Sequence, residues 1–219
     1  MFLLLARHGY TYEPGGPTFW YGSTEDVPLH AYGRMQAAVL GASINRAKIK
    51  LARVITGPLQ RTQDTTSIAL SYIAPDLKPA VFETDARLTE IHYGIWSGRP
   101  SADIAKDYPA EERAWAKHSV WPSNMGFAPS EVEVTAQVHG LATELAEQYG
   151  NSDDVCFLVS SNGLLRFFLK LVEGEWEKRC ASTTFKLYET QWGLLEWKGG
   201  RWTLHNWRET NEQVQLPPR

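Results

Sequence analysis

The chain is predicted to form a layered α/β domain with a short antiparallel addition, and the punctuation of its apolar runs is the reason. Phe2-Leu3-Leu4-Leu5-Ala6 opens the chain, and comparable runs occur at Leu51–Thr56 and at residues 154–159. Near-continuous hydrophobic stretches of roughly four to eight residues suit parallel strands buried on both faces. Each run empties into a turn that contains glycine, and helical patterning comes after it. Beyond Thr183 the pattern changes. Residues 183–187, 193–197 and 202–207 alternate like antiparallel strands, with Gly199-Gly200 as a hairpin turn.

Along the chain, Tyr12-Glu13-Pro14-Gly15-Gly16-Pro17 marks a loop, and the aromatic cluster Phe19-Trp20-Tyr21 follows it. Residues 33–46 read as a helix whose apolar face is Met35, Ala38, Val39 and Ala42, spaced i, i+3, i+4 and i+7. Gly57-Pro58 leads into a second helix, from 59 to about 72, with Arg61 in its first turn. Residues 80–84 read as a third strand, and 87–100 are irregular, aromatic and punctuated by glycine. Helical patterning from 102 to about 119 belongs to an insertion over the sheet edge, 97–130, expected to act as a cap shaping substrate access. Ser130 and Glu133 form a capping-box signature before a long amphipathic helix, 131–148, with Val134, Val138, Leu141 and Leu145 on one face. The strand at 154–159 then passes through Ser160-Ser161-Asn162-Gly163 into a helix from 164 to about 172. At 219 residues, without repeats, a single domain over 1–219 is expected, ordered except at the 213–219 tail with its paired prolines.

Composition excludes several classes of function. A formal charge of -3 leaves no basic stripe, so nucleic-acid binding is not expected. No stretch reaches transmembrane length, and Arg7 interrupts the N-terminal run before it could serve as a signal peptide, so no membrane contact and a cytoplasmic location are expected. Cys156 and Cys180 are too few and too distant for a zinc ribbon or a redox pair, and Cys156 reads as a reduced core residue. No metal or cofactor is expected. Nine tryptophans, with Trp192, Trp197, Trp202 and Trp207 at five-residue intervals, read as core and sheet-edge packing rather than a platform for bases. Nothing here specifies an oligomeric state.

Ligands of open α/β sheets collect at the carboxyl ends of the strands, where Arg7-His8-Gly9 would sit. A guanidinium offers a planar fork of donors for phosphate or carboxylate, an imidazole can be nucleophile or base, and Gly9 lets backbone come close to a bound group. Arg61 sits at a helix N-terminus following a strand, a natural anion site. Together these residues read as a phosphoryl site. Taken singly, Arg7-His8-Gly9 fits better an arginine paired with a surface carboxylate and a hydrogen-bonded histidine at a strand end, and Arg61 fits equally a surface arginine on an exposed first turn.

In order and spacing, several motifs together resemble the histidine phosphatase superfamily of phosphoglycerate-mutase-like proteins, over nearly the whole chain. They are Arg7-His8-Gly9 with Thr11, the stretch 22–37, Leu59-Gln60-Arg61-Thr62 with Thr65, Leu88-Thr89-Glu90 with Gly94, Trp96 and Gly98, and Val159-Ser160 with Gly163 and Arg166. The resemblance implies a three-layer α/β/α sandwich with a mostly parallel central sheet and a small helical cap. It also implies metal-independent hydrolysis of a small phosphomonoester. By the same resemblance His8 is the nucleophile that becomes phosphorylated, and Glu90 is the general acid, which requires a carboxyl pKa raised toward neutrality. Arg7, Arg61, Ser161 and Asn162 bind phosphate, and Thr11, Trp20, His92 and Tyr93 shape the substrate site.

Two positions depart from the family pattern. A second histidine is usual where Ser161 stands, and serine gives one hydrogen bond without the imidazolium charge. A hydrogen bond to a charged group contributes about 1.5–3 kcal/mol, roughly ten- to a hundredfold in rate. A slow phosphatase, a non-catalytic binder of a phosphorylated ligand, and a scaffold recruited to another reaction therefore all stay open. The mutase branch also carries arginine where Ile91 stands, which weakens the case for a small dianionic sugar acid. The Phe19-Trp20-Tyr21 cluster either closes the domain edge or stacks on a flat leaving group.

Overall fold

Strands that are apolar on both faces must be covered on both faces, and this requirement organises the molecule. The computed structural model describes residues 1–79, 81–210 and 214–217. Along the chain it forms β1 (Phe2–Arg7), α1 (Ala31–Arg46), β2 (Leu51–Thr56), α2 (Gln60–Ser71), β3 (Glu83–Thr84) and β4 (His92–Tyr93). Next come α3 (Ser101–Asp107), α4 (Pro109–His118), β5 (Phe127–Ala128), α5 (Glu131–Tyr149), β6 (Val155–Ser160), α6 (Asn162–Leu165), α7 (Glu175–Ala181), β7 (Trp192–Lys198) and β8 (Arg201–Glu209).

The main sheet has the order β3-β2-β6-β1-β7-β8. Its first four strands are parallel, whereas β7 runs antiparallel to β1 and β8 antiparallel to β7. Alternate side chains of each central strand enter different cores. Leu3 and Leu5 of β1, with Cys156 and Leu158 of β6, pack with α5 residues Val134, Val138, Leu141 and Leu145, and with Trp96 and Trp115. Phe2, Leu4 and Ala6, with Phe157 and Val159, pack against Leu40, Ile44 and Leu70 of α1 and α2. This is the three-layer α/β/α sandwich with a mostly parallel sheet. The capping box at Ser130 and Glu133 is present at the start of α5. Gly199 and Gly200, at φ 59° and 80°, make the β7–β8 hairpin turn. Among the described residues no helix is long and apolar enough to cross a membrane.

Several expectations are corrected. The buried side of α1 is Gly33, Ala37, Leu40, Gly41 and Ile44, whereas Met35 and Val39 are 54% and 37% exposed. Small residues win this face because α1 lies close against α2: a Cβ at Gly41 would overlap the Ala69 carbonyl oxygen. The helix expected at 102–119 is broken at Tyr108, because Pro109 cannot continue α3 and instead starts α4. The helix expected from 164 begins at Asn162 and tightens to 3-10 geometry over Arg166–Leu171. Of the strand expected at 80–84 only Glu83–Thr84 pairs with β2; Val81 is exposed, and Ala80 lies outside the described residues.

Residues 183–187 form no ladder either, because side chains take their backbone groups. Trp207 Nε1 donates to Phe185 O, Arg7 Nη1 to Leu187 O, and Leu187 N donates to Asn162 Oδ1. In the tail, Val214 is buried and its N–H donates to Ser43 Oγ; Gln213, Pro218 and Arg219 lie outside the described residues.

The α1–α2 contact and the open surface at Gly140 give opposite expectations. Gly41→Val should cost about 1–3 kcal/mol by overpacking. Gly140→Ala, where a Cβ meets nothing within 4 Å on α5, should gain about 0.5–1 kcal/mol. Urea unfolding of the two variants checks both signs.

Candidate active site

The register of β1 and β6 sets the site. Arg7 pairs with Ser160, and the next backbone N–H, that of His8, donates to Ser160 O at 3.0 Å. His8 and Ser161 are thus delivered to the carboxyl edge of the sheet by neighbouring strands. His8 is only 6% exposed. Its Nδ1 lies 2.7 Å from Gly9 O, and since a carbonyl only accepts, Nδ1 carries the proton and Nε2 the lone pair. Burial first, then the charges of Arg61 and Arg7, hold the imidazole well below the usual histidine pKa. The ring is therefore neutral and nucleophilic at neutral pH. Gly9 N donates to Thr65 Oγ1 of α2 at 3.1 Å, and a Cβ at Gly9 would overlap the Gly33 carbonyl of α1, so both helices fix the loop that carries His8.

Arg61 is fully buried. Its Nη1 donates to Glu25 O at 2.7 Å and its Nη2 to Gly22 O at 2.9 Å and Tyr21 O at 3.5 Å, engaging three of the five donors of a guanidinium. It thereby ties the 21–25 loop to α2. Arg7 Nη2 is ion-paired to Glu189 Oε1 at 2.8 Å, while its Nε is buried with no partner. Glu189 also accepts from Tyr12 OH at 2.9 Å. The buried Glu90 carboxylate accepts from Ile91 N at 2.9 Å and from Gly163 N at 3.1 Å. Gly163 has to be glycine there, because a Cβ would overlap Glu90 Oε1 and the Tyr93 hydroxyl. Burial, then the Glu90 charge, raises the Tyr93 phenol well above its usual pKa, so it stays protonated beside the carboxylate.

These groups face a cleft of about 440 Å³. Of the residues singled out in the sequence, Arg7, His8, Thr11, Trp20, Arg61, Glu90, Tyr93 and Asn162 line it. Ser161, one residue beyond the end of β6, is buried, does not line the cleft, and its Oγ has no partner among the described residues. His92 is placed outside the cleft: it sits on β4 opposite Ala128, and its Nδ1 accepts from Gly94 N at 3.0 Å. Its expected role in shaping the substrate site has no support in this geometry. Tyr12, Glu189, Lys186 and Arg166 are among the cleft residues that went unnoticed as site residues. For Glu189 and Lys186 the sequence carries no signal: Lys186 falls in the segment 183–187 that reads as a strand, and Glu189 in the connection after it. Arg166, four positions beyond Asn162, was only a matching position.

A larger cavity, about 1260 Å³, opens at the opposite end of the sheet beside Ser43, Asp154 and Val214. Ligands of parallel sheets gather at the carboxyl ends, and the catalytic candidates lie there.

A neutral imidazole beside two guanidinium groups, with a carboxyl group lining the same cleft, is an arrangement suited to phosphoryl transfer through histidine. The chain matches the family described as the histidine phosphatase superfamily (branch 1) over residues 3–210, and it belongs to that superfamily. Glucosyl-3-phosphoglycerate phosphatase of Mycobacterium tuberculosis is 29% identical over 185 residues, 80% of this chain and 78% of that protein. A 2,3-bisphosphoglycerate-dependent phosphoglycerate mutase of Streptococcus pneumoniae is 34% identical over 125 residues, 56% of this chain and 53% of the mutase. The native structure of mycobacterial glucosyl-3-phosphoglycerate phosphatase superposes with a TM-score of 0.75 at 25% identity, covering 95% of this chain and 99% of that one.

The depressed His8 pKa has a measurable consequence. Below the unfolded-state value near 6.5 the unfolded chain binds a proton that the folded chain refuses, so stability falls as pH drops from about 6.5 toward the folded pKa. Replacing His8 by Asn should flatten this part of the stability profile, as read by urea unfolding between pH 7 and pH 5; an unchanged slope would mean that His8 titrates normally.

Proposed function

We propose that this phosphatase hydrolyses a small phosphomonoester through a phosphohistidine on His8, with 1–219 acting as one domain and 97–130 as its cap. The observation that carries this reading is the His8 tautomer: Gly9 O holds the proton on Nδ1 and leaves Nε2 free inside the cleft. Nε2 attacks phosphorus as the bond to the leaving oxygen breaks, and the Glu90 carboxyl group acts as the general acid that delivers a proton to that oxygen. Glu90 then takes a proton from a water molecule, whose oxygen attacks the phosphohistidine, releasing phosphate and restoring His8. Arg7 and Arg61 stabilise the transferred group, and the unpartnered Arg7 Nε is a donor that a phosphate oxygen would satisfy.

The cleft volume suits a small molecule, and relatives named for glucosyl-3-phosphoglycerate and phosphoglycerate support a small phosphorylated substrate. Asn162 donates through its side-chain amide, because Leu187 N already occupies its Oδ1. Ser101 and Trp115 bring the cap to the cleft wall, and Thr11, Trp20 and Tyr93 complete the substrate surface. Two free thiols, one of them buried, accord with a cytoplasmic setting.

Ser161 favours a second reading, a protein that binds a phosphorylated ligand without turnover. Phosphate release from a panel of phosphomonoesters that includes an aryl phosphate separates the two. Under the enzymatic reading release is lost in His8→Ala and rises roughly tenfold or more in Ser161→His, which restores a charge-assisted contact. Release that survives in His8→Ala removes His8 as the nucleophile.

A further inference from the structure

The aromatic cluster at 19–21 is divided by its backbone into two parts. Phe19 bridges Pro100 in antiparallel fashion, Trp20 N donates to Arg99 O at 3.0 Å, and Gly98 N donates to Trp20 O at 2.9 Å, so the segment runs extended along 98–101. Alternate side chains of an extended segment point to opposite sides. The Trp20 ring meets Tyr93 and Trp96 edge-on and packs against the core. Phe19 and Tyr21 instead stack on each other, with ring centres 5.4 Å apart and planes 11° from parallel. Tyr10 and Tyr12 form a second pair, edge-on at 4.9 Å. These four rings are half-buried, belong to neither core among the described residues, and all line the cleft.

The charges of the cleft limit what else can bind beside them. Arg7, Arg61, Arg166 and Lys186 line it together with Glu90 and Glu189, and Glu112 acts on Lys186. A phosphoryl group brings about two negative charges at neutral pH, enough to balance what these carboxylates leave. No cation is left over for a second acid. The rest of the substrate therefore faces aromatic surface.

We propose that Tyr10, Tyr12, Phe19 and Tyr21 form a subsite that takes a flat, uncharged aromatic ring on the leaving group. The inference rests on the phosphatase reading of the same cleft and names the substrate class within it: a phosphomonoester whose alcohol part carries an aromatic ring. Such a ring extends a set of stacked and edge-on contacts, a gain beyond its area that an aliphatic ring of similar size lacks. The receiving rings are fixed beforehand. Arg61 grips Tyr21 O and Gly22 O, Tyr12 OH donates to Glu189, and Tyr10 N donates to Gln36 Oε1 at 3.0 Å. Little ordering then remains to be done on binding.

Four ligands with the same alkyl phosphate linkage test the proposal: ethyl, phenethyl, cyclohexylethyl and para-carboxyphenethyl phosphate. Their leaving oxygens are alike in acidity, so the contrast reports recognition of the ring. Binding is measured by calorimetry in the His8→Asn background, which removes turnover. Phenethyl phosphate should bind at least about tenfold tighter than ethyl phosphate and about threefold tighter than cyclohexylethyl phosphate. The added carboxylate should bring no further affinity. Phe19→Leu combined with Tyr21→Leu should erase most of the preference for the aromatic ring, and Tyr21→Phe should retain it.

Equal affinity for ethyl and phenethyl phosphate, or for the aliphatic and aromatic rings, overturns the proposal, as does tighter binding of the carboxylated ring or no binding at all. Phosphate release by the unaltered protein is measured in parallel. Absent release with the ring preference intact would remove the hydrolytic reading and leave the aromatic subsite standing.

Discussion

A buried imidazole held neutral between two guanidinium groups is the constraint on which the rest of this structure depends. Protonated, His8 would face Arg7 and Arg61 without bulk water to screen them, and its nucleophilic lone pair would be gone. Burial and the two arginine charges keep the ring neutral, and the Gly9 carbonyl fixes its one proton on Nδ1. That carbonyl is where it is because the chain at Gly9 touches the backbone of Gly33 on α1 and Thr65 on α2. The small-residue face that brings α1 against α2 therefore belongs to the site as much as to the core. A bulkier α1 would move the loop that orients the histidine.

The arginines are also held by backbone. Arg61 gives donors to the carbonyls of Tyr21, Gly22 and Glu25, so the loop bearing the Phe19-Trp20-Tyr21 cluster is anchored to the cleft wall. Phe19 and Tyr21 stack at 5.4 Å, and Trp20 packs edge-on against Tyr93 and Trp96. Arg7 is anchored by Glu189 and Leu187. Fixed donors need little reorganisation as charge develops on a transferred phosphoryl group, which is the source of electrostatic catalysis. The Glu189 carboxylate offsets the Arg7 charge and leaves its Nε without a partner.

Much of this was legible in the sequence. The runs that became β1, β2 and β6 were readable because a strand buried on both faces has to be apolar throughout, and the Ser130–Glu133 capping box because its chemistry is local. The α1 face was misread because hydrophobic periodicity favours large side chains, whereas the packing selected Gly33, Ala37 and Gly41 for their small size. The segment at 183–187 was misread because its hydrogen-bond partners, Arg7, Asn162 and Trp207, are distant in sequence or point in from another element. For the same reason Glu189 and Lys186 were invisible as site residues. His92 stood two residues from Glu90, yet a two-residue strand turns its ring to Gly94.

The central claim is that His8 Nε2 carries the phosphoryl group, and the most direct measurement is to trap it. Protein mixed briefly with an aryl phosphate and quenched in alkali, where phosphohistidine survives, is digested and mapped by mass spectrometry. The account predicts one phosphoryl group, on the peptide containing His8, labile to acid. A phosphoryl group on Ser161 or another residue, or rapid release of phosphate with no labelled histidine at any quench time, would contradict it.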